Sequence, residues 1–251
     1  MSWFKSWFNT KYYHLLYQNR NDDEAHFFID NFLNHLQLPA DAKLLDMGCG
    51  KGRHSIYLAQ KNFDVTGVDL SEESICEAQK SEKKNLHFFV HDMRKVFAEN
   101  KFDVVLNLFT SFGYFNSGKE NQDVINAFSA ALKPNGILVI DFLNAEKIIS
   151  LLPFHEKKTI EGVEFIIDKK LNNNFIEKKI SFADCGKKFN FEERVEALKL
   201  ADFKNYFSKA GFELKDIFGS YDLKSFDEKT SDRLILIAEK KLINESSINS
   251  D

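Results

Sequence analysis

Cysteine is scarce in this chain, and the few residues present exclude two classes of protein. The three cysteines, Cys49, Cys76 and Cys185, lie far apart and form no C-x-x-C pair. An odd number of widely separated cysteines is untypical of the disulfide framework of a secreted domain, and it offers no zinc site. The seven histidines also lack the spacing of metal ligands. We therefore expect free thiols, an intracellular protein and no resident metal.

Basic clusters and long hydrophobic runs are also missing. The net charge is −4, the pI is about 6.0, and the lysines are interspersed with acidic residues instead of forming a stripe. This distribution argues against nucleic acid as a partner. No apolar run reaches the length of a transmembrane helix, and the aromatic segment at residues 1–8 is too short for a signal peptide. The composition thus predicts a cytoplasmic protein that does not bind a membrane.

Glycine is uncommon too, with 11 residues in 251, yet three glycines stand at alternate positions of one segment. Residues 44–54 read Leu-Leu-Asp-Met-Gly-Cys-Gly-Lys-Gly-Arg-His, and a helix-like run over residues 55–60 follows. A strand that turns through glycines into a helix lets a ligand lie against bare backbone. The next strand-like run ends in Asp69, about twenty residues on, where a carboxylate can bind ribose hydroxyls. The segment predicts a site for a nucleoside-containing cofactor.

Two residues of this segment distinguish between cofactors. A dinucleotide site follows the pattern G-x-G-x-x-G, and Arg53 stands where that pattern requires its third glycine. Asp46, just before the first glycine, would repel a diphosphate by about 1 to 4 kcal/mol at ~4 Å. The same carboxylate favours the ammonium and sulfonium groups of S-adenosylmethionine. The sequence therefore favours S-adenosylmethionine over NAD, and an NAD-dependent dehydrogenase is the weaker alternative.

Four motifs resemble those of class I S-adenosylmethionine-dependent methyltransferases, and the resemblance covers about residues 12–145. The motifs occupy residues 46–52, 67–71, 91–93 and 102–107. The continuation at residues 108–115 is similar to a loop of bacterial amino-sugar N-methyltransferases, in which the position of Tyr114 often carries histidine. The resemblance implies methyl transfer to a small-molecule amine or hydroxyl, and the tyrosine leaves the acceptor open. A non-catalytic S-adenosylmethionine-binding module or a protein-interaction module is the alternative.

The resemblance also implies a set of cofactor contacts at the carboxyl ends of the strands. Asp69 would bind the ribose hydroxyls, Asp92 would accept a hydrogen bond from the adenine amino group, and Met93 would pack on the adenine ring. The methionine carboxylate needs a cation, for which Arg20 is favoured over Arg53. The predicted cofactor set is Arg20, Asp46, Gly48, Gly50, Gly52, Asp69, Leu70, Asp92, Met93, Asn107 and Phe109.

Three tyrosines are predicted to act on the acceptor side. Tyr114 lies in the loop that should flank the transferred methyl group, whereas Tyr13 and Tyr17 belong to the N-terminal segment that closes over the cofactor in similar enzymes. Methyl transfer depends mainly on holding the acceptor close to the methyl group, which can supply about 7 to 11 kcal/mol. The lack of a catalytic triad is therefore compatible with an enzyme. The Glu-Glu-Arg segment at residues 192–194 could also reach an acceptor, with a solvated face as the alternative.

Alternating strand and helix patterns predict an α/β fold, Rossmann-like and doubly wound, with a mostly parallel seven-stranded sheet. The strands are expected at residues 43–46, 64–69, 86–90, 102–106 and 137–142, with a closing hairpin at 212–218 and 234–238. Helices should span residues 24–36 and 120–132 and begin near Arg53, Glu72 and Met93. Three further β-rich runs, at residues 162–168, 175–182 and 188–195, predict an inserted antiparallel β-meander.

These patterns divide the chain into five parts. An N-terminal lid and first helix would occupy residues 1–38, the S-adenosylmethionine-binding core 39–145, the inserted antiparallel β cap 146–198, the completion of the core sheet 199–241, and a disordered tail 242–251. We expect a small-molecule methyl acceptor as the partner. The sequence leaves the oligomeric state open.

Overall fold

The computed structural model describes residues 7, 10–17, 22–108, 111–115 and 117–242. Within these residues the helices and strands are, in chain order, α1 (Lys11–Leu16), α2 (Asp22–Leu36), β1 (Lys43–Met47), α3 (Arg53–Gln60), β2 (Asp64–Asp69), α4 (Glu72–Ala78) with a 3₁₀ turn (Gln79–Ser81), β3 (Leu86–Val90), β4 (Phe102–Asn107), α5 (Gly118–Ala131), β5 (Leu132–Leu143), α6 (Ala145–Ser150), β6 (Phe154–Ile160), β7 (Val163–Asn172), β8 (Phe175–Asp184), β9 (Lys187–Glu196), α7 (Leu200–Lys209), β10 (Phe212–Phe218) and β11 (Arg233–Lys240). The predicted tail lies outside the described residues, apart from Leu242.

The main sheet has seven strands in the order β10-β11-β5-β4-β1-β2-β3. The strands β1 to β5 pair in parallel, whereas β11 is antiparallel to both β5 and β10. This arrangement confirms the predicted doubly wound α/β fold and its closing hairpin. The direction of winding reverses between β1 and β4. In such sheets a crevice for ligands opens at that point, beyond the carboxyl ends of the strands.

Helices cover both faces of the main sheet with apolar side chains. On one face, α2 buries Phe28 and Phe32 against α3, α4 and the sheet. On the other face, α5 and α7 bury Phe128 and Phe203. Burial of one such ring contributes about 1.5 to 3 kcal/mol, so both layers hold the sheet firmly. Among the described residues, no helix has the length and apolar character needed to cross a membrane.

The inserted sheet is a separate antiparallel meander of four strands, in the order β6-β7-β8-β9. The sequence predicted only three of these strands, because β6 reads Phe-His-Glu-Lys-Lys-Thr-Ile and is largely exposed. One face of the sheet carries the buried rings of Phe165 and Phe182. Trp7 and helix α1 pack on this face and form one hydrophobic cluster with it. The N-terminal segment therefore docks on the inserted sheet.

Two local predictions are wrong. No helix follows β3 near Met93, where residues 92–100 form turns and bends. The Asp92 carboxylate accepts a hydrogen bond from the Arg94 backbone N–H at 3.0 Å, and such a turn competes with helix formation. The predicted helix at residues 120–132 and the predicted strand at 137–142 leave a gap at residues 133–136, yet β5 begins at Leu132 directly after the helix. The segment bulges within β5, since the pairing with β4 shifts between Leu132 and Ile137.

Candidate cofactor and acceptor site

The loop from Gly48 to Gly52 joins β1 to α3, and its three glycines differ in whether a side chain could fit at their positions. All three glycines have positive φ, at +80° for Gly48, +56° for Gly50 and +84° for Gly52. A Cβ atom on Gly48 would lie 2.6 Å from the Cβ of Ser111, and one on Gly52 would lie 2.6 Å from the ring of Phe88. A Cβ atom on Gly50 would meet nothing within 4 Å. Packing thus requires the outer glycines, whereas Gly50 exposes bare backbone.

Asp69 stands at the carboxyl end of β2, beside this exposed backbone. Its Oδ2 accepts a hydrogen bond from Gly50 N at 2.9 Å, and its Oδ1 accepts one from Ser71 N at 2.8 Å. Burial raises the pKa of Asp69 above its usual range. The N-cap of α4 is Ser71, whose hydroxyl accepts from Ser74 N at 3.2 Å. Asp69 is therefore not needed as a helix cap, and its carboxylate is fixed toward the loop.

Asp46 lies beneath the glycine loop and is 1% exposed. The Ser55 hydroxyl donates a hydrogen bond to Asp46 Oδ2 at 2.6 Å. Burial raises the pKa of Asp46 to about 6, and the charge of Asp69 acts in the same direction. Arg53, the first residue of α3, has the opposite effect on this pKa. A cation above the loop would favour the ionised form of Asp46 in the same way.

Asn107 carries an unsatisfied acceptor at the reversal point of the sheet. It ends β4 and is fully buried, and its Nδ2 donates to Met47 O at 2.7 Å. Its Oδ1 is buried and has no hydrogen-bond partner among the described residues. A buried acceptor without a donor costs about 1 to 3 kcal/mol. Asn107 therefore carries an unsatisfied acceptor where β1 and β4 end side by side.

The turn after β3 forms a further wall of the site. The Cε of Met93 lies 3.3 Å from the position of a Cβ on Gly48, so this side chain touches the glycine loop. The Asp92 carboxylate is held by the guanidinium of Arg94, with Nη2 2.6 Å from Oδ2. That contact lowers the pKa of Asp92. The sequence motifs did not include Arg94. The one signal that could have found it is its position directly after Asp92 and Met93.

The loop at residues 111–115 lies between the glycine loop and the inserted sheet. The Ser111 hydroxyl donates to Gly48 O at 3.2 Å, and Gly113 O accepts from Glu196 N of β9 at 2.8 Å. Gly113 has a φ of +82° and packs against Phe142. Tyr114 follows it and is half-buried against the core of the main sheet. The structure thus brings this loop to the edge of the predicted cofactor site.

Tyr13 and Tyr17 contact the inserted sheet. The Tyr17 hydroxyl donates to Glu193 at 2.6 Å and accepts from Lys178, and Trp7 Nε1 also donates to Glu193 at 2.7 Å. Tyr13 packs edge-on against Trp7, with ring centres 5.6 Å apart. These contacts fasten the N-terminal segment to β8 and β9. The catalytic role of the two tyrosines stays a prediction.

The Glu-Glu-Arg segment of β9 is divided between the two faces of the inserted sheet. Glu193 pairs with Lys178 across the sheet, on the face that carries the N-terminal segment. Arg194 pairs with Glu177 on the opposite face, where its guanidinium lies 3.5 Å from the ring centre of Phe175. Glu192 is exposed on that face too. Only Glu193 therefore faces the N-terminal segment.

The remaining predicted residues fall into two groups. Arg20 and Phe109 lie outside the described residues, whereas Leu70 is half-buried directly after Asp69. His54 is buried, and burial lowers its pKa to about 3, so the ring is neutral. Within the described ranges, no group of His, Cys, Asp and Glu side chains could hold a metal ion. The three cysteines are free thiols.

Residues 44–136 match a family model described as a methyltransferase domain. The chain is similar to the putative methyltransferase YqeM of Bacillus subtilis, with 39% identity over 122 residues, which is 46% of this chain and 48% of that protein. It is also similar to the dTDP-3-amino-3,4,6-trideoxy-alpha-D-glucopyranose N,N-dimethyltransferase of Streptomyces venezuelae, with 32% identity over 133 residues, or 51% of this chain and 54% of that enzyme. In both alignments the chain spans about half the length of its relative.

A crystal structure of an S-adenosylmethionine-dependent methyltransferase from Clostridium acetobutylicum superposes with a TM-score of 0.78. The two proteins share 22% sequence identity, and the match covers 92% of this chain and 96% of that one. This likeness supports the fold over nearly the whole chain. Residues 44–136 thus match a methyltransferase domain, and the fold around them is that of the Clostridium protein, in agreement with the resemblance that the sequence motifs indicated.

Proposed function

We propose that the protein transfers the methyl group of S-adenosylmethionine to a small-molecule amine, with a hydroxyl acceptor as the second choice. The observation that carries the proposal is the set of polar groups at the carboxyl ends of β1, β2 and β4. There the exposed backbone of Gly50, the oriented carboxylate of Asp69 and the orphan oxygen of Asn107 lie at one rim. The named activity of the Streptomyces venezuelae relative on an amino sugar supports the choice of an amine.

The rim residues fit the groups of this cofactor. Asp69 accepts hydrogen bonds from the backbone N–H groups of Gly50 and Ser71, which orient its carboxylate toward the ribose hydroxyls that it would bind. Asn107 Oδ1 would accept a hydrogen bond from the methionine ammonium. The carboxylate of Asp46, beneath the glycine loop, would attract the same positive charge. Arg20 or Arg53 would bind the methionine carboxylate. When bound, S-adenosylmethionine supplies a methyl group that its sulfonium already activates.

The chain would contribute mainly position and exclusion of water on the acceptor side. Tyr114 and its loop would hold the acceptor against the cofactor rim. Tyr13 and Tyr17, in the N-terminal segment that docks on the inserted sheet, would close the opposite side. A neutral amine needs no strong general base, so positioning alone can account for much of the rate. We therefore also propose that residues 1–38 and 146–198 act together as the acceptor cap. The cluster that joins α1 to the inserted sheet supports this grouping.

Ligand binding and turnover test the proposal. Calorimetry and thermal unfolding should detect binding of S-adenosylmethionine and S-adenosylhomocysteine but not of NAD. A ligand that binds only the folded state stabilises it and raises the melting temperature. Incubation with a panel of amino sugars, amino acids and hydroxyl analogues should then yield S-adenosylhomocysteine with an amine. Binding without turnover on any acceptor would favour a non-catalytic S-adenosylmethionine-binding module. Binding of NAD alone would favour the dehydrogenase.

A further inference from the structure

Arg94 connects three segments that border the proposed cofactor site. Its Nη2 and Nε lie 2.6 and 3.0 Å from the two carboxylate oxygens of Asp92, in the turn after β3. Its Nη1 donates to Glu120 Oε1 at 2.7 Å, in the first turn of α5. The guanidinium carbon lies 5.4 Å from the ring centre of Phe115, in the loop at residues 111–115, here called the acceptor loop. One side chain thus joins the cofactor side of the site to the acceptor side.

The geometry requires a guanidinium and not merely a positive charge. The planar group places two N–H donors on Asp92 while a third reaches Glu120, which a lysine ammonium cannot do with the same orientation. The Arg94 backbone N–H also donates to Asp92 Oδ1, at 3.0 Å. Asp92 Oδ1 is therefore occupied by two strong donors. Nη2 donates to Asp92 Oδ2, and Nε lies 3.2 Å from the same oxygen, so Nε is shared between the two carboxylate oxygens. Three N–H donors thus face a carboxylate that offers about four acceptor positions, which leaves capacity for one further N–H group.

We propose that Arg94 is a positioning residue that orients Asp92 toward the amino group of the adenine ring. This inference rests on the proposed function and adds a residue to it. Arg94 fixes the direction of the remaining acceptor position on Asp92. Its guanidinium also compensates the negative charge of the Asp92 carboxylate, which suits that carboxylate to a neutral amino group. Glu120 and Phe115 hold the guanidinium from the other side. The acceptor loop and α5 therefore help to determine which base the site accepts.

The test compares S-adenosylhomocysteine with S-inosylhomocysteine, in which an oxygen replaces the amino group. Calorimetry on the wild-type protein should show a preference for the adenosyl compound. Arg94→Gln and Arg94→Lys should each reduce that preference by at least about threefold, the effect of losing one oriented hydrogen bond. Lys80→Gln, which removes an exposed cation paired with Glu77, is the control and should leave the preference unchanged.

A second set of variants distinguishes positioning from a general loss of structure. Asp92→Asn should reduce the preference directly, and the double variant Asp92→Asn, Arg94→Gln should show no further reduction, because both residues act through one contact. If Arg94→Gln weakens both ligands equally, or if the two substitutions add, the role of Arg94 is structural and the inference is wrong. A wild-type protein that binds neither compound would overturn the proposed function itself. If the wild-type protein binds both compounds and Arg94→Gln keeps the wild-type preference, only the inference is overturned.

Discussion

The glycine loop and the inserted sheet are held in place by contacts of different range. At the loop, Asp69 bonds to backbone groups 2 and 19 residues away, and Asp46 bonds to a hydroxyl 9 residues away. On the inserted sheet, Glu193 accepts hydrogen bonds from Trp7 and Tyr17, which are 186 and 176 residues away. The two carboxylates at the loop are thus held by a short stretch of sequence, although the Ser111 hydroxyl also bonds to Gly48 O from 63 residues away. The inserted sheet and its N-terminal segment, in contrast, depend on each other across most of the chain.

The two regions meet at the acceptor loop, where Glu196 N donates to Gly113 O. Because the carboxylates of the cofactor site are held by local contacts, their geometry can stay unchanged when a substitution alters the cap formed by residues 1–38 and 146–198. We therefore expect substitutions in the glycine loop to affect cofactor binding and global stability. Substitutions on the inserted sheet should affect the N-terminal segment and the acceptor.

Gly48→Ala should have the largest effect on stability. The added methyl group would sit 2.6 Å from Ser111 Cβ at a φ of +80°, so overlap and backbone strain combine. We expect a loss of about 2 to 5 kcal/mol in the free energy of unfolding, measured by denaturant titration. The matched control is Gly162→Ala in the β6–β7 turn, which has a φ of +82° and no atom within 4 Å. It should lose only the strain, about 1 to 2 kcal/mol. Equal losses would contradict the packing argument.

Asp69→Ala should weaken cofactor binding without disturbing the cap. Two ribose hydroxyls would lose a charged acceptor, and each such bond contributes about 1.5 to 3 kcal/mol, so affinity for S-adenosylmethionine should fall at least about tenfold. Calorimetry measures this directly. Asp64→Ala, at the other end of the same strand, provides the control and should bind like wild type. Unchanged affinity in Asp69→Ala would remove the ribose assignment.

Glu193→Gln should affect the other region. It removes the charge that Trp7, Tyr17 and Lys178 share, and we expect stability to fall by about 1 to 2 kcal/mol with looser attachment of the N-terminal segment. Limited proteolysis and thermal unfolding would detect the change. Affinity for S-adenosylmethionine should stay within about twofold. Glu192→Gln, exposed on the opposite face, should leave both measurements unchanged, and a similar loss in the two variants would contradict the assignment of faces.

Tyr114→Phe should have the smallest effect. The ring and its packing against the core remain, and only the hydroxyl is lost. We expect the methyl-transfer rate to fall about threefold to tenfold, the effect of one positioning hydrogen bond, while affinity for S-adenosylmethionine stays within about twofold. Single-turnover kinetics with an identified acceptor separates the two quantities. A wild-type rate in this variant would place the acceptor away from the Tyr114 hydroxyl.

The contrast in contact range also explains what the sequence could predict. Asp69 and Asn107 could be placed at one rim because a parallel sheet brings the carboxyl ends of its strands together. Arg94 could not be assigned to the site from the sequence, because its partners Phe115 and Glu120 belong to a distant loop and helix. Five of the seven residues of β6 are polar and most of them are exposed, so β6 lacks the apolar alternation that marks a strand.

The Met93 prediction failed for a related reason. The Asp92 carboxylate accepts a hydrogen bond from the Arg94 backbone N–H, a local contact that competes with helix formation and that helix propensity does not include.

The docking of Trp7 and α1 on the inserted sheet has a consequence for biosynthesis. Helix α1 is translated long before β7, β8 and β9, whose apolar side chains complete its binding surface. During synthesis its aromatic residues stay exposed until the ribosome has added about another 180 residues, at roughly 5 to 20 residues per second. Contacts so distant along the chain also form slowly. The N-terminal helix should therefore be among the last elements to dock, and chaperones that bind exposed aromatic segments should recognise the nascent chain at this end.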